Sequence, residues 1–353
     1  MELLIPEIKK MAESIRAAEI SRMEAAKILR GLGDETSLIK KSEPANIEKL
    51  KIVGIDGGIV KKSFHGFDFI LARAAAVCFE FFNGRISNAN YFPSKVPTPK
   101  LFKLEAVSDI DYAYYSSIVR QKLEIETAKK SVEKFKPDIL LLDGSIVPHY
   151  ATKPSQNSMT YKDYEELMSS YQELYKLCQE NKILLAGVVE DSRNERYCEL
   201  VKNNLLNNNI EKSININPII EVLEKTRDTN FLFWVLNEHE RTKTFDYSDD
   251  FAKHPILKDF VFKNFYSFYL KTAKMDRPIR VDFMDKEKED WLASVLLAIS
   301  GQHSRYGFPS VIIEADNIAK MPEQEIETFY SYMLKYTGNI PSMMKLRREQ
   351  RPF

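Results

Sequence analysis

Two aspartates stand in closely similar settings. Asp56 follows an apolar run in VGIDGG, and Asp143 follows another in LLLDGS, each with glycine behind it. An acid at the end of an apolar strand is poorly placed for packing and well placed in a cleft, because open α/β sheets bind ligands at the carboxyl ends of their strands. The glycines carry no side chain and let a phosphate backbone come close. For Asp56 alone, an Asp-Gly hairpin turn explains the residues equally well. The pair is more specific. Two carboxylates on neighbouring strands repel unless a cation lies between them. Oxygen donors of this kind select Mg2+ or Mn2+ rather than zinc.

Further acids fall where such a pair would need help. Glu124 and Glu126 lie in RQKLEIETAKK, a helical stretch directly before the strand that carries Asp143. Only one of them can face the site. Arg120 and Glu124 are four apart and could equally form a solvated helix-face pair. Asp316 follows an apolar run in YGFPSVIIEADNIAK, with Glu314 two residues before it. A late acid joining an early pair is what a one- or two-metal phosphodiesterase site requires. Asp191, after ILLAGVVE, is a fifth candidate, although an N-cap or turn in EDSRN accounts for it better.

Other chemistries lack their residues. The five histidines are scattered, and no HExxH, GxSxG or Walker A sequence occurs. Cys78, Cys178 and Cys198 form no CxxC pair and no zinc spacing, as expected of a reduced, cytoplasmic protein. Lys plus Arg and Asp plus Glu number 51 each among 353 residues. A balanced charge leaves room for a local basic surface that holds nucleic acid. No apolar run is long enough to span a bilayer, and the amphipathic N-terminus lacks a signal peptide's apolar centre.

The elements that would position these acids read as a mixed sheet. KLKIVGID (49–56), FDFILARAAAVCFEFF (67–82) and GRISNANYF (84–92) are apolar or alternating runs separated by Gly-Gly, His-Gly and Asn-Gly signals, a meander of three antiparallel strands. A helix over 109–136 ends at Pro137. DILLLDGS (138–145) is a buried strand, a helix covers about 161–181, and KILLAGVVEDS (182–192) is a second buried strand. Three antiparallel strands, then helix, strand, helix, strand, is the order of a ribonuclease H-like α/β fold. Beyond it, FLFWVL (231–236) and PIRVDF (278–283) read as strands and EKEDWLASVLLAIS (287–300) as a helix. The aromatic segment FVFKNFYSFYL (260–270) suits core, a subunit interface or a base-stacking platform. The expected division is a helical segment over 1–48, a nuclease domain over 49–320 with an insertion around 195–275, and a C-terminal helix and tail over 321–353.

Taken together, VGIDGG, RQKLEIETA, LLLDGS, GVVEDSR and YGFP…EADNIA resemble the successive motifs of the NurA nucleases, over roughly residues 50 to 320. That resemblance implies a Mn2+-dependent (or Mg2+-dependent) deoxyribonuclease, a 5′–3′ exonuclease and single-strand endonuclease acting on DNA ends in resection for recombinational repair. It also implies a homodimer docked on a HerA-type hexameric translocase. It assigns Asp56, Asp143 and either Glu124 or Glu126 as metal ligands. The late motif departs from the family, with Gly307-Phe308-Pro309 in place of Gly-Tyr-Pro and Ala315-Asp316 in place of Ala-His. Phe308 has no hydroxyl to offer a phosphate, and Asp316 can ligate a metal but supplies no imidazole. Arg193, Arg305 and Phe308 are the expected DNA contacts. The departures also suit a non-catalytic DNA-end-binding or scaffold partner of the translocase, and transferase chemistry would use the same acids.

Overall fold

A computed structural model describes residues 4–32, 38–105, 107–207, 216–338 and 340–347. After helix α1 (Ile5–Gly31) and the short strand β1 (Ile39–Lys41), the chain forms the meander: β2 (Lys51–Ser63), β3 (Asp68–Phe82) and β4 (Arg85–Phe92). Asn83 and Gly84 turn β3 into β4 with φ of 50° and 67°, the two positive values a type I′ hairpin requires. His65-Gly66 turns β2 into β3, closed by Phe64 N–H donating to Phe67 O at 2.9 Å. The Gly-Gly signal is not a turn. Gly57 and Gly58 lie inside β2, which pairs with β3 from Lys51 through Ser63 without interruption. Asp56 is therefore a mid-strand residue.

Strand β5 (Lys100–Leu104) pairs with β3, and helix α2 (Asp109–Phe135) follows, capped by Ser108, whose side chain accepts from Asp111 N–H. Then come β6 (Ile139–Asp143), α3 (Tyr161–Glu180) and β7 (Leu184–Val189). Strand β6 runs parallel to both β2 and β7. The run β4-β3-β2-β6-β7 thus joins three antiparallel strands to two parallel ones. This is the expected ribonuclease H-like arrangement, in a mixed sheet flanked by helices.

The sheet continues past β7. Helices α4 (Arg196–Asn207), α5 (Asn217–Leu223) and α6 (Asp228–Val235) precede β8 (Glu240–Thr242), β9 (Phe245–Asp246), β10 (Tyr266–Leu270) and β11 (Ile279–Phe283). Strand β11 pairs antiparallel with β7, extending the sheet through β10 and β8 to β1. FLFWVL, expected as a strand, lies mostly in α6. Phe231, Leu232 and Val235 are buried at helical spacing, and a short apolar run does not distinguish a buried strand from a buried helix. The aromatic segment is core. Phe265, Phe268, Tyr269 and Leu270 are fully buried, so these side chains offer no face to a base.

Helices α7 (Glu289–Ile299), α8 (Ser310–Ala319) and α9 (Glu323–Thr337) complete the order. Alternate residues of the central strands face opposite layers. Ile52, Ile139, Leu141 and Val188 pack with α7 and α8. Val53, Ile55, Leu140 and Leu142 pack with α2 and α3. A third cluster joins the end of α1 to α4, α5 and α6.

Candidate metal centre

Parallel register brings the two aspartates together. Ile55 pairs with Leu142 across β2 and β6, so the next residues, Asp56 and Asp143, are neighbours on adjacent strands. Both have the parity of Ile52 and Leu141 and face the α8 layer. Asp56 is 6% exposed, and the two carboxyls hydrogen-bond to each other. Burial first, then the repulsion of Asp56 and Glu124, pushes Asp143 up to about 8. Burial and the charge of Asp316 push Asp56 up as well. Two carboxyls this close and this buried cannot both ionise cheaply.

The loop behind Asp143 is tied down. Gly144 N–H donates to Val188 O at 2.9 Å, and the buried Tyr175 hydroxyl donates to Ile146 O at 2.5 Å. Gly144 takes φ of 92°, which its lack of a side chain permits.

Glu124 enters from the other layer. Its side chain lies over Gly57, where an added Cβ would stand 2.5 Å from Oε1. It is 8% exposed, and burial raises its carboxyl to about 7. Arg120 Nη1 donates to Glu124 Oε1 at 2.6 Å. Glu126, two positions on, turns away towards Lys100 Nζ at 3.9 Å. The geometry thus selects Glu124 over Glu126 for the cluster.

Helix α8 brings Asp316. It crosses β2 at close range because Gly54 and Gly58 have no side chains: a Cβ on Gly54 would lie 2.6 Å from Val311 O, and one on Gly58 would overlap Ala319 O. Asp316 is on the exposed side of α8, yet its charge acts on Asp56. Glu314 points elsewhere, accepting from Tyr91 Oη at 3.0 Å. Asp191 is exposed and paired with Arg277 at 2.5 Å.

Arg193 and Arg305 are exposed. Phe308 is not a surface residue. It is 4% exposed and packs in the layer beneath α8, so its ring is part of the core and offers no face to a strand of DNA. A residue that sequence reasoning passed over stands beside it. Tyr306 is 41% exposed, its hydroxyl hydrogen-bonds to Glu190, and it lies in the field of Asp143 and Asp316. Gly307 anchors the loop, donating to Asp276 Oδ2 at 2.7 Å and accepting from Thr272 Oγ1. The only hint in the sequence was a second aromatic in YGFP.

Among the described residues no three His, Cys, Asp or Glu side chains converge into a finished cation cage. The aspartates face α8, Glu124 approaches around Gly57, and Arg120 draws Glu124 aside. The donor set nevertheless fits a hard divalent cation, because it is all oxygen, largely buried, and gathers like charges that such a cation would neutralise.

The comparisons bear on the fold and the family. No curated protein matches the sequence. The structure aligns with the crystal structure of the NurA nuclease from Sulfolobus solfataricus at a TM-score of 0.58 and 16% identity, covering 96% of this chain and 97% of that one. A second NurA crystal structure aligns at a TM-score of 0.53 and 10% identity, covering 96% and 98%. At these identities the likeness is one of fold. The NurA domain model matches residues 50–321, most of the chain and every element of the acidic cluster, and the chain belongs to the NurA family.

Proposed function

We propose that this chain is a divalent-metal-dependent nuclease that hydrolyses phosphodiester bonds in DNA. The observation that carries the reading is geometric: parallel register sets Asp56 beside Asp143, and the buried Glu124 lies over the neighbouring Gly57. Buried carboxyls gathered this way cost stability unless they serve a ligand.

In this reading Asp56 and Asp143 hold the cation, Glu124 completes the buried side and Asp316 the open side. A bound Mn2+ or Mg2+ lowers the pKa of water and offsets charge gathering on the phosphate. Asp143, whose carboxyl burial raises, would ligate as the carboxylate. Gly57 keeps the floor low enough for a phosphate to reach the carboxylates. Tyr306 offers its hydroxyl to a non-bridging phosphate oxygen in place of Glu190, a role that Phe308 cannot fill. Arg193 and Arg305 hold the strand through its phosphates, so binding weakens with salt.

Family membership supports the finer parts of the proposal: 5′–3′ exonuclease and single-strand endonuclease activity, preference for Mn2+ with one or two ions, end resection in recombinational repair, and a HerA-type partner. The body over 49–320 is proposed as the nuclease domain, in a reduced, cytoplasmic setting. Three buried free cysteines support that setting. Among the described residues no helix is long and apolar enough to cross a membrane.

The test uses purified chain and end-labelled linear DNA with Mn2+, with EDTA as control. Labelled products should appear only with the metal, and Asp143→Asn should release at least a hundredfold less, on the order expected when a metal ligand is lost. Metal-independent DNA binding without cleavage would instead favour the scaffold reading.

A further inference from the structure

Among the described residues, Arg120 is the cation that acts on Asp56, Glu124 and Asp143 alike. It and Glu124 are one turn apart on α2, with Nη1 2.6 Å from Oε1. Ordinary i,i+4 pairs of this kind are exposed on both sides and contribute only a few tenths of a kcal/mol. Here the glutamate is buried, with a side chain 11% exposed, while the arginine side chain is 36% exposed. Its guanidinium reaches inward from a partly open edge. After Glu124, the group acting on it most is Asp56, followed by Tyr171 and Asp143. Glu124 has little room to retreat, since its carboxylate lies directly on the bare backbone of Gly57. Its oxygens can serve the guanidinium or a cation shared with the aspartates, and full engagement of one weakens the other.

We propose that Arg120 is the resident countercharge of the site: it holds Glu124 when no divalent cation is bound, competes with the cation for it, and on release presents its guanidinium to a phosphate of the DNA strand. The inference rests on the metal-dependent reading above and adds a residue to it. A planar guanidinium at a half-open edge has the donor geometry for a phosphate. Arg120 is a positioning residue towards the metal and a contact residue towards DNA, so its loss moves the two affinities in opposite directions.

The test is a calorimetric titration of metal-free full-length chain with Mn2+, together with KM for linear DNA at saturating Mn2+. Arg120→Gln should bind Mn2+ about tenfold more tightly than the parent, because competition and repulsion are both removed, and should raise KM for DNA by about tenfold. In a Glu124→Gln background the Arg120→Gln change should improve Mn2+ binding by less than about threefold, since there is no longer a carboxylate to compete for. Arg120→Lys keeps the charge and loses the fork, so its Mn2+ affinity should stay near the parent's while KM rises. It tests the same claim should the glutamine variant fold poorly. Mn2+ affinity unchanged or weakened in Arg120→Gln, with the parent binding normally, overturns this inference alone. A parent chain that takes up no Mn2+ overturns the metal-dependent reading and this inference with it.

Discussion

Burial holds the Asp143 carboxyl up at about 8 and that of Glu124 at about 7, whereas in the unfolded chain both release their protons near pH 4. Between those limits the folded chain binds more protons than the unfolded one. The stability tied to these groups is therefore fully present at the acid end and is lost as pH rises through the folded values. The metal-free protein should unfold at lower urea concentration at pH 8 than at pH 5.5, and Asp143→Asn should flatten that slope. The same variant should gain about 1 kcal/mol at pH 8, because an amide has no charge to bury, and should lose cleavage. Added Mn2+ should raise the melting temperature more at pH 8 than at pH 5.5, since at the higher pH fewer protons stand in its way. Equal urea midpoints at both pH values in the parent would contradict the raised carboxyls. At this scale much was legible. Asp56, Asp143 and Glu124 were visible as acids against apolar runs, and Glu124 was separable from Glu126 only once the face of α2 was known. Tyr306 and the role of Arg120 were not legible, because each depends on partners far along the chain: Glu190 for the one, the two aspartates for the other.

The elements explain why glycines surround the site. Gly54 and Gly58 let α8 lie close on β2, and Gly57 makes room for Glu124 on the opposite face. Alternation in one strand thus serves two layers. Gly58→Ala meets the backbone carbonyl of Ala319, which cannot swing aside, and should cost about 2–3 kcal/mol of folding stability. Gly57→Ala meets the flexible end of Glu124. It should cost less stability and lower cleavage about a hundredfold, as a displaced ligand does. Urea unfolding and initial cleavage rates separate the two, and a Gly57→Ala variant with parent-like cleavage would remove Glu124 from the site. The sequence read these glycines as a turn because Gly-Gly most often punctuates strands. The α8 backbone that requires them lies more than 250 residues away. The meander, α2, β6, α3 and β7 were legible because their periods are clean. The short apolar run in α6 was not, since its length suits either state and its burial against α1 decided the matter.

For the whole molecule, α1 carries an unpartnered stripe. Leu4, Ile8, Met11 and Ile15 are 53%, 58%, 65% and 60% exposed. Their heptad spacing continues to Ala25 and Leu29, which pack into the body. Laid antiparallel on a second copy, the stripe is self-complementary: Leu4 meets Ile15 and Ile8 meets Met11, as a two-fold interface requires. Were the chain a homodimer, as the family resemblance implies, this stripe rather than the buried aromatic segment would be its contact. Light scattering should give a dimer mass for the parent and a monomer for Ile8→Glu with Met11→Glu, and a parent monomer at micromolar concentration would refute the contact. The central claim, that the paired aspartates hold the cation, is tested most directly by anomalous diffraction from crystals grown with Mn2+. The account predicts a manganese peak about 2.0–2.6 Å from carboxylate oxygens of both Asp56 and Asp143, with Glu124 turned towards it from Arg120. A well-occupied manganese elsewhere on the chain, with Asp56 and Asp143 still hydrogen-bonded to each other, would contradict it.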